Sequence, residues 1–271
     1  MSQSKLVTIG SDPEVIIIDE QGHPKSMIGY VGGDKKNPKY INGIGFQEDN
    51  VLVEFNTVPC SNGQELFEQI QNSLELIKEN FLPHNWRISE ECGGEYSYDE
   101  LFLHPEQALE FGCDPDFCVY ENAVRNQLDP EDFQNLRFAG GHIHIGYTQG
   151  NEGKNGIIAM LLDALLILPT VNRLSDWEKQ RRTLGYGVAG SIRHKPYGLE
   201  YRTPSNDWIF NENKTEIVYE TVKLAVELSN HDDVVKQLHK MAQNIREAIN
   251  KSDMSGVKDM SFVEKYSLVN V

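Results

Sequence analysis

Polar and apolar positions alternate most cleanly at 138–147. There FAGGHIHIGY sets His142 and His144 on one side of an extended chain, with Ile143 and Ile145 on the other. Glycines bracket the segment, as expected where backbone turns sharply or approaches another group closely. Further strands are predicted at 5–19 (KLVTIGSDPEVIIID), at 51–59 (VLVEFNTVP), around 111–120 and within the turn-rich stretch 186–205. The glycine-rich segment 29–45 is too irregular for a regular element and reads as a loop or hairpin over a ligand.

Helical spacing governs the rest. Over 61–81, Leu66, Phe67, Ile70, Leu74, Ile77 and Phe81 form one apolar stripe, and Ser61 with Gln64 has capping-box spacing. The run IIAMLLDALLILP at 157–169 predicts a buried helix over 155–168 that ends at Pro169. With Asp163 inside it, this run is too short to span a bilayer. The last third predicts helices at 212–229 and 232–250, the second carrying Val234, Leu238, Met241, Ile245 and Ile249 at helical spacing. No regular βαβ beat is visible. The expected fold is therefore α+β with a mostly antiparallel sheet, one unit over 1–271 with a helical C-terminal segment at 210–252.

Charge narrows the partners. Forty-one Asp and Glu against 25 Lys and Arg give a formal net charge of -16, which argues against nucleic acid or an anionic membrane as partner. Cys60, Cys92, Cys113 and Cys118 form no C-x-x-C pair, so free thiols in a reducing compartment are expected. The opening MSQSKLVTIGSDPE has no basic start followed by an apolar block, and a cytoplasmic protein is expected.

Acids in the middle of strands are the candidate chemistry. Asp12 and Glu14 flank Pro13 with both carboxylates expected on one face; Glu54 interrupts VLVEFN; Asp114 and Asp116 repeat the acid-Pro-acid pattern; Glu200 and Arg202 share a strand face. A buried carboxylate must be paired, metal-bound or open to water. Each acid alone reads most simply as a solvated edge. Together with His142 and His144 they suit divalent cations carrying a polyphosphate, because magnesium and manganese take oxygen ligands and manganese tolerates imidazole. Arg181, Arg182, Arg193 and Arg202 cluster beside His194 and Lys195, and guanidinium groups pair with phosphate in bidentate fashion. For Arg181 and Arg182 a surface ion pair is an equal alternative. H-x-H alone is weak, and no phosphate-loop, dinucleotide or nucleophile-elbow signature appears.

Taken in order, GSDPEVIIID, QEDNVLVEFNTVP, GCDPDF, GGHIHIG and YGLEYRTPSN resemble the carboxylate–amine ligases of the glutamine synthetase-like superfamily. The closer resemblance is to its short phage and bacterial amidoligases, and it covers most of 8–208. It implies a curved antiparallel sheet like the glutamine synthetase catalytic domain, with helices on the outer face. The cleft is then expected to bind ATP with two or three Mg2+ or Mn2+ ions. It also implies metal ligands at Asp12, Glu14, Glu54, His142 and Glu200, phosphate or substrate contacts at His144, Arg193 and Arg202, and Asp116 as a further acid. Glu54, Arg193 and Arg202 would carry catalysis, and a glycine-rich lid with Lys35 would cover the nucleotide. The chain is shorter than glutamine synthetase and is expected to lack that enzyme's N-terminal domain, which leaves oligomeric state and acceptor site open. The implied reaction joins a small-molecule or peptide carboxylate to an amine through an acyl phosphate. A metal-dependent amide hydrolase and a non-catalytic binding protein are the competing readings.

Overall fold

A computed structural model gives the structure of residues 7–108, 116–125, 133–147 and 151–269. Helix and antiparallel sheet are mixed, as the α+β expectation requires. Among the described residues the main sheet has six strands in the order Thr8–Ser11, Ile143–Gly146, Gly198–Tyr201, Ser191–Lys195, Phe117–Cys118 and Ala123–Val124. Every pairing in it is antiparallel. A second sheet orders Glu14–Val15, Leu52–Asn56, Ile44–Asp49 and Lys39–Ile41.

The expected strand at 5–19 is divided into three pieces, Thr8–Ser11, Glu14–Val15 and Ile17–Ile18, each in a different sheet. Pro13 explains the first break. It has no N–H to give to a ladder, and its carbonyl accepts from Phe55 N at 3.2 Å. Ser11 O on one side of it accepts from Thr57 N at 2.9 Å, while Glu14 N on the other donates to Gly140 O at 2.9 Å. The chain thus passes from one sheet to the next within two residues. The glycine-rich 29–45 segment contributes a hairpin: Asn42 and Gly43, with φ of 51° and 85°, form the tight turn between Lys39–Ile41 and Ile44–Asp49.

One face of the main sheet is apolar. Ile9, Ile143, Ile145, Ile192, Leu199 and Tyr201 are buried there, in one core with residues of the Glu152–Leu162, Glu212–Leu228 and Asp232–Lys251 helices. The last two helices follow the sequence pattern to within a residue. The capping of the helix Gly63–Asn80 is shifted by one: Asn62, not Ser61, accepts from Glu65 N, and Glu65 reaches back to Ser61 N at 3.1 Å. Pro169 does not end its helix. The chain changes from α-helix to a π turn at Asp163–Ile167 and then to a 3-10 turn at Leu168–Arg173, where Pro169 sits at the start and loses no needed donor. The continuous run Glu152–Arg173 is consequently 22 residues, long and apolar enough to cross a membrane by length and composition, with 78% of its most apolar window buried inside the protein. Cys60, Cys92 and Cys118 are free and buried.

Candidate functional site

The other face of the main sheet is polar. Cross-strand register puts Gly10, His144, Glu200 and Arg193 in one row. Neighbours two residues along each strand, among them Asp12, His142, Arg202 and Lys195, share that face. In the second sheet Glu14, Glu54 and Gln47 form a row of their own, with Asp49 two residues from Gln47. The His142 and His144 alternation is therefore as the sequence predicts. Asp12 and Glu14 are different. Divided by Pro13, they serve two separate groups of donors: Asp12 with His144 and Glu200, and Glu14 with Asp49 and Glu54. In each group one donor atom per residue lies within 4.8 Å of the others.

Electrostatics distinguishes the groups. Glu200 is 1% exposed, yet Lys195 lies 2.7 Å and Arg193 3.4 Å away, and Arg202 donates to it. Burial alone would raise its pKa, but Arg202, His142 and Arg193 together hold it well below the usual carboxylate range. Arg202 also contacts Asp116 at 2.7 Å, so this flank is internally compensated. Asp114 lies outside the described residues. Among the described residues Glu14, Asp49 and Glu54 make no ion pair with a lysine or arginine, and Arg202 and Arg181 only partly offset the burial of Glu14. Burial, then Asp49, pushes Glu14 up to about 8; burial, then Asp12, Asp49 and Glu14, holds Glu54 well above its ordinary value. Three carboxylates that repel one another when ionised form an oxygen-only donor set of the kind hard divalent cations take.

The histidines divide in an unexpected way. His142 is 2% exposed, and both ring nitrogens are engaged. Arg202 donates to Nδ1 at 3.0 Å; having no lone pair to offer, it leaves Nε2 to carry the ring proton and donate to the Tyr186 hydroxyl at 3.1 Å. Tyr186 in turn donates to Glu14 at 3.2 Å. Burial, then Arg202, lowers the His142 pKa well below its ordinary value, which keeps the ring neutral. His144, by contrast, places Nε2 2.9 Å from Asp12 and completes the donor group there. Burial opposes its charged form, but Asp12 raises its pKa overall. It is His144 that stands in the donor group around Asp12, while His142 Nδ1 lies 3.6 Å from Asp12 and 4.0 Å from Glu200.

A divalent cation fits these donors on a further observation: Asp12 Oδ1 is buried and makes no hydrogen bond. Backbone glycines secure the approach. A Cβ on Gly140 would stand 2.3 Å from His142 Nε2, and one on Gly141 2.3 Å from Ser205 O. Asp49, Tyr186 and Tyr197 are additions to the sequence-derived set. Asp49 sits in the polar run QED, where no alternation marks its face. Arg181 and Arg182 are not surface pairs. Both are buried, and Arg181 donates to the Thr203 and Pro204 carbonyls and stacks on Tyr186 at 4.2 Å. Lys35 is exposed on a turn held by Asp34, whose carboxylate accepts from Lys36 N and Asn37 N.

Removing cations should expose this electrostatics. Glu14 has a folded pKa above its unfolded value of 4.5, so its contribution to stability is complete below pH 4.5 and lost as pH rises through about 8. Protein held in EDTA should therefore lose stability progressively from about pH 5 to about pH 8, by an amount on the order of a few kcal/mol in all. Mn2+ should restore it, with a larger rise in melting temperature at pH 8.5 than at pH 6.5, because binding must displace protons at the lower pH. Differential scanning fluorimetry across pH, with and without metal, measures both.

Fold and site together describe a polar face on an antiparallel sheet, and the comparisons give the class of protein: enzymes that join a carboxyl group to an amine. The family described as phage phiEco32-like COOH.NH2 ligase-type 2 matches residues 111–267, and the chain belongs to it. A bifunctional glutathione synthetase from Pasteurella multocida shares the fold, at a TM-score of 0.52 and 10% identity over 90% of this chain. The match takes in 41% of that synthetase, so the chain spans about two fifths of its length. No curated protein matches the sequence.

Proposed function

We propose that this ligase couples ATP hydrolysis to amide or peptide bond formation through an acyl phosphate, with Mg2+ or Mn2+ in the cleft. The observation that supports it best is a pair of adjacent carboxylate-bearing donor groups, one on the main sheet beside Arg193, Arg202 and Lys195 and one on the second sheet. Glu14, Asp49 and Glu54 would hold one cation, and Asp12 and His144 with Glu200 a second. Such ions supply charge neutralisation at phosphate oxygens.

The chain's own residues divide the remaining work. Arg193 and Arg202 are the guanidinium groups on the face and would orient the γ-phosphate. A substrate carboxylate oxygen attacks the γ-phosphorus and ADP departs with the electron pair of the broken P–O bond. The amine nitrogen then attacks the acyl carbon, inorganic phosphate leaves, and the nitrogen gives up a proton. His142 and Tyr186 would hold Glu14 in place beneath this chemistry. The hairpin that delivers Asp49 would close over the nucleotide, bringing Lys35 with it and excluding water from the acyl phosphate.

The test is ADP release by the full chain with ATP and Mn2+ or Mg2+ against a panel of amino acids and short peptides, with hydroxylamine as a universal amine. Hydroxamate formed in step with ADP is the expected result. Metal-dependent amide cleavage without ATP would instead establish a hydrolase, and no turnover together with no nucleotide binding under either metal would sink the ligase mechanism.

A further inference from the structure

A cavity of about 310 Å³ opens beside the Asp12–His144 group, at the seam where the strand Thr8–Ser11 leaves the main sheet. Gly10 and His144 line it from the main sheet, Asn56, Thr57 and Pro59 from the end of the second sheet's strand, and Tyr197 from the hairpin above. Its volume is at the small end of ligand pockets. Among the described residues that line it there is no Lys, Arg, Asp or Glu.

Position and chemistry together limit the occupant. In the main sheet Arg193 lies two strands beyond His144, and Lys195 and Arg202 accompany it there. The anionic reactants, the triphosphate and the carboxylate that becomes an acyl phosphate, are drawn to that side, where three cationic side chains meet two carboxylates, Glu200 and Asp116. The cavity is on the opposite flank, past Asp12, where the described lining offers an anion no lysine or arginine. Its walls are hydroxyl, amide, proline ring and phenol, which suit an uncharged group with peptide-like polarity. The Gly10 backbone gives the floor room: a Cβ there would lie 3.5 Å from Thr57 Oγ1, an ordinary contact that would narrow the cavity without disrupting it.

We infer that this cavity receives the amine substrate, and that the amine belongs to a small, uncharged amino-acid or peptide end. The inference rests on the ligase reading and names the class of its second substrate. Tyr197, whose hydroxyl bonds to His144 Nδ1, forms the wall between the cavity and the cation group and would orient the amine.

The experiment has two stages. Hydroxylamine needs no subsite, so ATP-dependent hydroxamate formation first identifies a carboxylate that the full chain activates; finding none would overturn the ligase reading and this inference with it. With that carboxylate fixed, alaninamide, serinamide, lysinamide and aspartic acid 1-amide are compared as amines. The uncharged pair should exceed the charged pair at least roughly ten-fold in kcat/KM. Gly10→Ala should raise KM for alaninamide by roughly ten-fold with little change in KM for ATP. Asn56→Asp should shift preference towards lysinamide. A wild-type preference for a charged amine would overturn the inference while leaving the ligase intact. A Gly10→Ala effect on KM for ATP would do the same and assign the cavity to the nucleoside.

Discussion

Asp49→Asn and Glu54→Gln should each weaken Mn2+ binding and slow ADP release by roughly a hundred-fold or more, while leaving the cation-free protein as stable as before or slightly more so. The two effects have one cause. One donor atom from each of Glu14, Asp49 and Glu54 lies within 4.8 Å of the others, among the described residues no lysine or arginine forms an ion pair with them, and burial together with repulsion between carboxylates raises Glu14 and Glu54. An amide of the same shape removes one charge from the repelling set and one ligand from a cation. A purely structural trio would respond in the opposite sense. Glu54 accepts a 2.7 Å hydrogen bond from Gln47, and if that bond were its purpose the substitution would cost stability without touching metal affinity. Calorimetric titration with Mn2+ and melting in EDTA separate the two outcomes.

Arg202→Ala should be the most destabilising single change on the opposite flank, by about 3 to 5 kcal/mol. For a chain of this size that is a fall in melting temperature of about 6 to 20 °C. Arg202 is 2% exposed and meets Asp116 at 2.7 Å, His142 at 3.0 Å and Glu200. Its removal leaves Glu200 ionised and buried with only Arg193 and Lys195 near it, and frees the His142 ring to change tautomer. The sign with pH follows from the depressed Glu200 pKa. A group stabilised in its charged form contributes above its unfolded value of 4.5 and loses that contribution as pH falls through its folded pKa. The deficit of the variant should accordingly be larger at pH 7 than at pH 4, as melting curves at the two values would show. Arg202→Lys should recover only part of it, since an ammonium group cannot fork between Asp116 and Glu200.

These two flanks also mark how far the sequence could be read. The alternation at His142 and His144 and the apolar stripes of the two long C-terminal helices are local patterns, and local patterns survive folding. The acids themselves were visible because a carboxylate in a β-branched run is conspicuous. Their grouping was not. Which acid meets which depends on Pro13 transferring the chain between sheets, and on the tight turn at Asn50, with φ of 55°, that sets Asp49 at the edge of Glu54's face. Arg181 and Arg182 were ambiguous for a related reason: their burial depends on carbonyls at Thr203 and Pro204, far along the chain. Pro169 misled because its usual effect presumes an α-helix, and here a π turn had already changed the hydrogen-bond spacing.

The same proline has a further consequence. Because Asp12 and Glu14 are separated by one residue of extended chain, the Cα atoms that anchor the two donor groups are held roughly 7 Å apart by covalent geometry. Side-chain rotamers adjust each group, but the interval between them is set by the backbone as a fixed ruler. In the proposed mechanism, substitutions around either group would therefore tune the affinity of one ion. They cannot easily change the distance over which a phosphate would be shared by two.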